Sequence, residues 1–369
     1  MRSRLTQLIR CPECGHPLTL DLWKKNGDRI EEGVLLCEDC PAYYVVTKFI
    51  PRMVPLTLVT DTDFLKKYEQ KLKVLVQKRS KQEDAKNALA TLQEATVKNF
   101  GTEWKMWDSF GWTDESVAIE QSKHIFDYKV LFTPKELVGG KLVLDAGCGN
   151  GRYTKVASMY GGEVIGVDLS DAVDVAYNNT KDDPHIHIVQ GDLFKLPFAK
   201  DTFDFVFSNG VLMHTGDARK AFLSIASHLK DDGVITVHLY HKGNPLYEFN
   251  DWWLRAITTR LPLDFMYKVS CFLAAIVRPL PKKFVQYGLN IFLRIENHPH
   301  YVFDWYTAPI ATHHTYPELY RWLDEAGLHL VADHNKSNHP WRKWIVPFFF
   351  LTVKAQKQPF IGEVTHTTT

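Results

Sequence analysis

The chain has 369 residues, of which 45% are apolar and 24% charged, and its formal net charge is +1. This is the profile of an ordinary globular protein large enough for a sizeable core. The balance of charge neither demands nor excludes nucleic acid as a partner, and no stretch approaches the roughly 20 apolar residues of a bilayer span. The opening M-R-S-R-L-T-Q-L-I-R-C is basic but lacks the apolar core of a signal peptide, so the expected compartment is the cytoplasm. Four of the six cysteines form two C-x-x-C pairs, Cys11 with Cys14 and Cys37 with Cys40. Each pair can place two thiolates on one side, and together they complete a tetrahedral S4 site for structural Zn2+. Two disulfides would need an oxidising compartment, and a redox motif usually comes as a single pair before a helix. A short segment with few apolar residues needs such a staple, and residues 1–58 are assigned to it.

Residues 59–135 are expected to be helical. The first part, to about residue 98, is polar and lysine-rich, including Lys66, Lys67, Lys71, Lys73, Lys81 and Lys86. It reads as a solvated linking helix or as a contact face for RNA or anionic lipid. The aromatic run that follows contains Phe100, Trp104 and Trp107, which could wall a pocket or simply fill a core.

The sequence V-L-D-A-G-C-G-N-G-R-Y-T at 143–154 is the most informative in the chain. An apolar run ends in Asp145, and Gly147, Gly149 and Gly151 follow at alternate positions before a helix-like stretch. Strand, glycine turn and helix bring backbone against a nucleotide-like ligand. A dinucleotide fingerprint would need its third glycine where Arg152 stands. Asp145 would repel a pyrophosphate but suits an ammonium group, and the helix N-terminus suits a carboxylate. S-adenosylmethionine carries both groups on a nucleoside.

The segment resembles the first motif of class I S-adenosylmethionine-dependent methyltransferases. Three further apolar runs follow in the family's order, and the resemblance covers about residues 136–245, returning near 315–356. E-V-I-G-V-D-L-S at 163–170 ends in Asp168, followed by Leu169; the resemblance implies that this carboxylate holds the ribose hydroxyls. H-I-H-I-V-Q-G-D at 185–192 implies Asp192 at the adenine amino group, with Leu193 packed on the ring. F-D-F-V-F-S-N-G at 203–210 places Ser208 and Asn209 at the mouth of the fourth strand. The implied fold is α/β: a doubly wound, seven-stranded Rossmann-like sheet whose seventh strand is antiparallel, with an N-terminal zinc ribbon and a helical insertion. The ribbon itself is similar to the small activator subunits of RNA and protein methyltransferases.

On this reading the core occupies 136–244 and 311–357, with a tail at 358–369. The insertion, 245–310, reads as three short amphipathic helices rich in Trp, Phe and Leu. It suits a lid over a partly apolar acceptor, a segment packed on its own domain, or a membrane-surface patch where Trp, Phe and Arg mix along 252–260. His214, in V-L-M-H, resembles a position of quinone-biosynthesis methyltransferases and is a candidate proton acceptor, or a packing residue. His313 and His314, which follow Asp304, Trp305 and Tyr306, are further candidates. Cys148 and Cys271 read as packing residues. The expected activity is methyl transfer to a small metabolite; the alternatives are an RNA substrate docked by ribbon and lysine helix, and a non-catalytic cofactor-binding scaffold.

Overall fold

The computed structural model describes residues 1–79, 90–112, 119–131, 137, 139–335, 350–358 and 365–366. After α1 (Ser3–Leu8), strands β1 (Leu18–Asn26) and β2 (Arg29–Cys37) form a hairpin in which Asn26 pairs with Arg29. Gly27 takes a left-handed φ of +60° in its two-residue turn, the geometry that matches strand twist. β3 (Tyr43–Thr47) and β4 (Ile50–Met53) complete an antiparallel meander.

The lysine-rich segment contains α2 (Thr62–Lys67), α3 (Glu69–Arg79) and α4 (Ala90–Met106). Lys81 and Lys86 lie outside the described residues. α5 (Ile119–Val130) leads to the alternating part of the chain: β5 (Leu142–Ala146), α6 (Arg152–Met159), β6 (Glu163–Asp168), α7 (Ala172–Thr180), β7 (Ile186–Gly191), β8 (Phe203–Asn209), α8 (Ala218–Ala226) and β9 (Leu229–Tyr240). Parallel strands covered on both faces read as continuous apolar runs, and β5 and β7 are buried along their whole lengths. Asp217 caps α8 by accepting from the Lys220 N–H at 2.9 Å, so the amphipathic run starts where its polar cap stands.

Four helices, not the three expected, then interrupt the sheet: α9 (Pro245–Thr258), α10 (Leu263–Val277), α11 (Lys282–Tyr287) and α12 (Pro299–Thr307). The chain re-enters the core through α13 (Tyr316–Glu325), whose Thr315 and Glu318 form a reciprocal capping box. β10 (His329–Asp333), β11 (Phe350–Gln356) and the two-residue β12 (Thr365–His366) finish the sheet. Residues 336–349, within the core segment expected at 311–357, lie outside the described residues.

Among the described residues the strands form one sheet in the order β1-β2-β3-β4-β7-β6-β5-β8-β9-β11-β10-β12, so the expected seven-stranded sheet is extended to twelve strands, four of them from the N-terminal segment. β11 runs antiparallel to both neighbours. The difference arises at β4, which pairs in parallel with β7 through Arg52 opposite Gln190 and Met53 opposite Gly191. An exposed edge on β7 would leave unpaired backbone groups, and the N-terminal meander covers it. Buried Arg52 fastens the junction by donating to Asp174 Oδ1 at 2.6 Å and Gln190 Oε1 at 3.2 Å.

Candidate functional site

Residues just beyond the C-terminal ends of β5, β6, β7 and β8 line one cavity of about 440 Å³. This is the crevice where open α/β sheets bind ligands. Gly147 and Gly149 line its floor with φ of +96° and +51°. A Cβ on Gly147 would lie 2.3 Å from the Val211 side chain, and one on Gly149 would lie 2.9 Å from the Trp104 ring, so both backbone shape and clearance require glycine. Gly151 caps α6 and abuts Ala176 of α7, outside the lining.

The three acidic strand ends differ. Asp168 and Asp192 line the cavity, as do their neighbours Leu169 and Leu193. Asp168 accepts from the Gly149 N–H at 3.1 Å and from the Ser170 N–H and hydroxyl at 2.9 and 2.7 Å. Burial nonetheless outweighs these donors and raises its pKa. Asp192 accepts from the Phe194 N–H at 2.9 Å and is likewise raised by burial. Asp145 lies beneath the turn instead of in the lining, 2% exposed, and accepts from Thr154 Oγ1 at 2.6 Å. Burial pushes its carboxyl up to about 7.

A carboxylate was expected at the helix N-terminus, and in the turn before it three N–H groups are already bonded. The N–H groups of Gly147 and Cys148 both bond the Val167 carbonyl, and that of Gly151 bonds the Cys148 carbonyl. A cation stands close by instead. Arg152 lines the cavity, its guanidinium packs over Phe110 at 4.7 Å and Tyr153 at 4.5 Å, and its buried Nη1 has no hydrogen-bond partner. Sequence reasoning passed over Arg152 because it was read only as the place where a dinucleotide motif fails.

The opposite wall comes from the insertion and α4. Phe100 and Trp104 line the cavity, whereas Trp107 lies outside it and packs on His300 and Phe303. Arg294, Glu296, His300, Tyr301 and Asp304 complete the wall. Of these, only Asp304 had been singled out; the signal available was a set of ionisable residues within an otherwise apolar stretch. α4 and α12 are joined by a bond from Asn99 Nδ2 to Thr307 Oγ1 at 3.2 Å, and His300 Nδ1 lies 3.1 Å from Glu103 Oε1 without a hydrogen bond between them. Both members of the latter pair are buried, which drives the Glu103 pKa up and that of His300 down, favouring their neutral forms.

His214 lines the cavity, with Tyr240 beside it at a ring separation of 5.3 Å. Its Nδ1 is 2.5 Å from the Ile310 carbonyl oxygen, which can only accept, so Nδ1 carries the proton. Nε2 then holds the lone pair, and it is buried without a partner. Burial lowers the His214 pKa to about 4. His313 and His314 are outside the lining: His313 Nδ1 pairs with Glu248 Oε2 at 2.8 Å, and His314 Nε2 with Thr312 Oγ1 at 2.8 Å. Asn209 lines the cavity, while Ser208 sits behind it and donates to the Ala146 carbonyl at 2.8 Å, joining β8 to β5.

At the other end of the sheet, Cys11, Cys14, Cys37 and Cys40 are not joined in disulfides, and their sulfur atoms all lie within 4.8 Å of one another. Cys11 and Cys40 are 3.6 Å apart, Cys14 and Cys37 3.4 Å. A tetrahedron with Zn–S bonds of about 2.3 Å has edges of about 3.8 Å, so this donor set fits the metal. Three lysines of the neighbouring helices are already engaged: Lys67 pairs with Glu32, Lys73 with Glu69, and Lys71 lies over the Trp23 ring at 4.9 Å.

Comparison with known proteins finds partial similarity around this site. Residues 144–237 match the family described as methyltransferase domain. The chain is 37% identical over 110 residues to the uncharacterized methyltransferase YcgJ of Bacillus subtilis, covering 29% of this chain and 44% of that protein. It is 35% identical over 100 residues to a demethylmenaquinone methyltransferase of Staphylococcus saprophyticus, covering 26% of this chain and 43% of that protein. The aligned part thus spans less than half the length of these curated relatives. The crystal structure of the Bacillus YcgJ protein superposes with a TM-score of 0.40 at 16% identity, covering 65% of this chain and all of that one.

Proposed function

We propose that the protein transfers a methyl group from S-adenosylmethionine to a small, partly apolar metabolite. The observation that carries this reading is the convergence of the glycine turn and the Asp168 and Asp192 carboxylates on one cavity whose other wall is aromatic. In this proposal Asp168 accepts from the ribose hydroxyls, Asp192 from the adenine amino group, and Leu193 packs on the purine. Arg152 receives the carboxylate of the amino-acid end, a task its unpartnered Nη1 suits. Bound there, the cofactor supplies an electrophilic methyl on a sulfonium and a neutral thioether as leaving group. The chain's own work is alignment and proton removal. His214 Nε2 takes the acceptor's proton, while the Ile310 carbonyl holds the ring in the required tautomer. Phe100, Trp104 and Tyr240 exclude water and favour an apolar acceptor. The relatives named as methyltransferases, one acting on a menaquinone precursor, support the reaction class.

The four cysteines are proposed to hold one Zn2+. With its coordination shell filled by thiolates, the metal supplies folding energy to the N-terminal meander rather than catalysis.

The function is tested by incubating the purified chain with methyl-labelled cofactor and cell extract, followed by untargeted metabolite profiling. Label should appear in a small molecule, survive ribonuclease treatment of the extract, and vanish with Asp168→Ala. Label confined to ribonuclease-sensitive material would establish RNA as the acceptor. Failure of any extract to yield S-adenosylhomocysteine would leave a binding scaffold.

A further inference from the structure

One insertion helix, α9, is inverted relative to the usual inside-outside rule. In α9 the inward residues at four-residue spacing are Tyr247, Asp251 and Arg255. The two charged ones are fully used inside: Asp251 accepts from Trp305 Nε1 at 2.6 Å, and Arg255 donates to the Trp305 and Ala308 carbonyls. The outward face carries Leu246, Phe249, Trp252, Trp253 and Ile257, between 42% and 69% exposed. At 100° per residue these five fall within one side of the helix. α10 buries Met266, Ser270, Ala274 and Val277 and still leaves a second apolar set outside, Phe265, Phe272 and Ile276, at least half-exposed at i, i+7 and i+11. Among the described residues, twelve of the sixteen large apolar side chains that stand out into solvent lie between Leu246 and Phe292. A few scattered ones would be ordinary; this concentration marks a contact surface.

Charge selects the occupant. Lys242, Arg260, Lys268, Arg278, Lys282 and Lys283 are all exposed, against one exposed carboxylate, Asp264, in the same stretch. A second copy meeting this face isologously would bring six cations against six. An anionic sheet with an apolar interior complements both components. Among the described residues no helix is long and apolar enough to cross a membrane, and α10, at 15 residues, would span only about 22 Å. We infer that α9, α10 and α11 dock the protein on the surface of an anionic lipid bilayer. Their Trp and Phe side chains enter the boundary between headgroups and acyl chains, and the lysines and arginines meet lipid phosphates. The inference is independent of the methyl-transfer reading, because its readout is vesicle association and not turnover.

The test is flotation of the full-length chain with two vesicle preparations, one of phosphatidylcholine and one of phosphatidylcholine and phosphatidylglycerol in equal parts. The chain should float with the anionic vesicles and far less with the neutral ones. Neutralising lysines in Lys282→Gln/Lys283→Gln should weaken partition about fivefold per charge. Removing Phe249, Trp252 and Phe272 as serines should cost about tenfold per side chain. These positions are exposed and outside the cavity, so melting temperature and S-adenosylhomocysteine binding should not change, which separates lost docking from lost folding. Absence of flotation with anionic vesicles overturns the inference, as does a triple variant that floats like the parent. A concentration-dependent dimer abolished by the triple variant, without flotation, assigns the face to self-association.

Discussion

Replacing Asp168 with Ala probes the carboxylate on which the proposed cofactor site turns. The Asp168 carboxylate has three protein donors in place, from Gly149 and twice from Ser170. The raised pKa means these donors do not compensate its burial. Two ribose hydroxyls would supply the missing donors. A hydrogen bond to a charged group contributes about 1.5–3 kcal/mol, so losing both, with some relaxation of the site, should cost about 3 kcal/mol, a weakening of about 150-fold. Asp168→Asn should not rescue binding. An amide oxygen turned to the Gly149 N–H leaves its NH2 facing the Ser170 N–H, and the opposite flip sets two donors together at Gly149. Titration calorimetry with S-adenosylhomocysteine reads the effect, and thermal melting checks the fold. The sign of the pH dependence follows from the same carboxyl: the ionised form accepts from the ligand, and burial raises the pKa of the free site. Affinity should therefore fall as pH falls through that raised value, with proton release on binding that shows as a linear dependence of the observed enthalpy on the ionisation enthalpy of the buffer. An Ala variant that melts like the parent and binds within twofold of it would refute the assignment.

Arg152→Met should weaken S-adenosylhomocysteine about tenfold or more while leaving 5′-methylthioadenosine, which lacks the carboxylate, nearly unaffected; equal losses for both ligands would show that Arg152 acts only through packing. His214→Gln should lower kcat by about 100-fold or more at nearly constant cofactor affinity. Since burial holds the His214 pKa near 4, below the ordinary 6.5, the ring stays neutral as pH falls through 6.5, and the acid limb of parent kcat should lie near the lower value; a limb at 6.5 lost in the variant would place His214 in an open, solvated environment. Protein purified without chelator should contain about one zinc per chain by elemental analysis. Cys37→Ser should lose that metal and expose the N-terminal meander to proteolysis, and metal-free parent protein with an intact meander would refute the tetrathiolate site.

The parts of the fold legible in the sequence were those whose physics is local. Each central strand is short, apolar and ended by a polar residue, because a parallel strand is covered on both faces and its C-terminal end meets ligand. The glycine turn was legible because Gly147 and Gly149 occupy conformations few other residues tolerate. The two C-x-x-C pairs were legible because thiolate spacing is itself the constraint. What stayed hidden depends on distant segments meeting. Nothing local in I-P-R-M announces that β4 adds to the edge of β7, since its partners Gln190 and Gly191 lie far along the chain. His313 and His314 looked like catalytic candidates because a histidine's type is visible and its partners are not; Glu248 and Thr312 already hold them.

The insertion shows the same limit from the other side. Its aromatic content was plain, but composition cannot tell a lid that buries its apolar face from one that displays it. Only the positions of Asp251 and Arg255 decide. Because those two charges are satisfied inside, by Trp305 and the carbonyls after it, the apolar stripe of α9 must point outward. Turning the helix over to bury that stripe would expose Tyr247 and leave the Trp305 indole N–H without its acceptor, in a site where an unmet buried donor costs about 1–3 kcal/mol. Among the described residues the outward apolar face is thus fixed by polar bonds beneath it, and it is this fixed face that the proposed bilayer docking would cover.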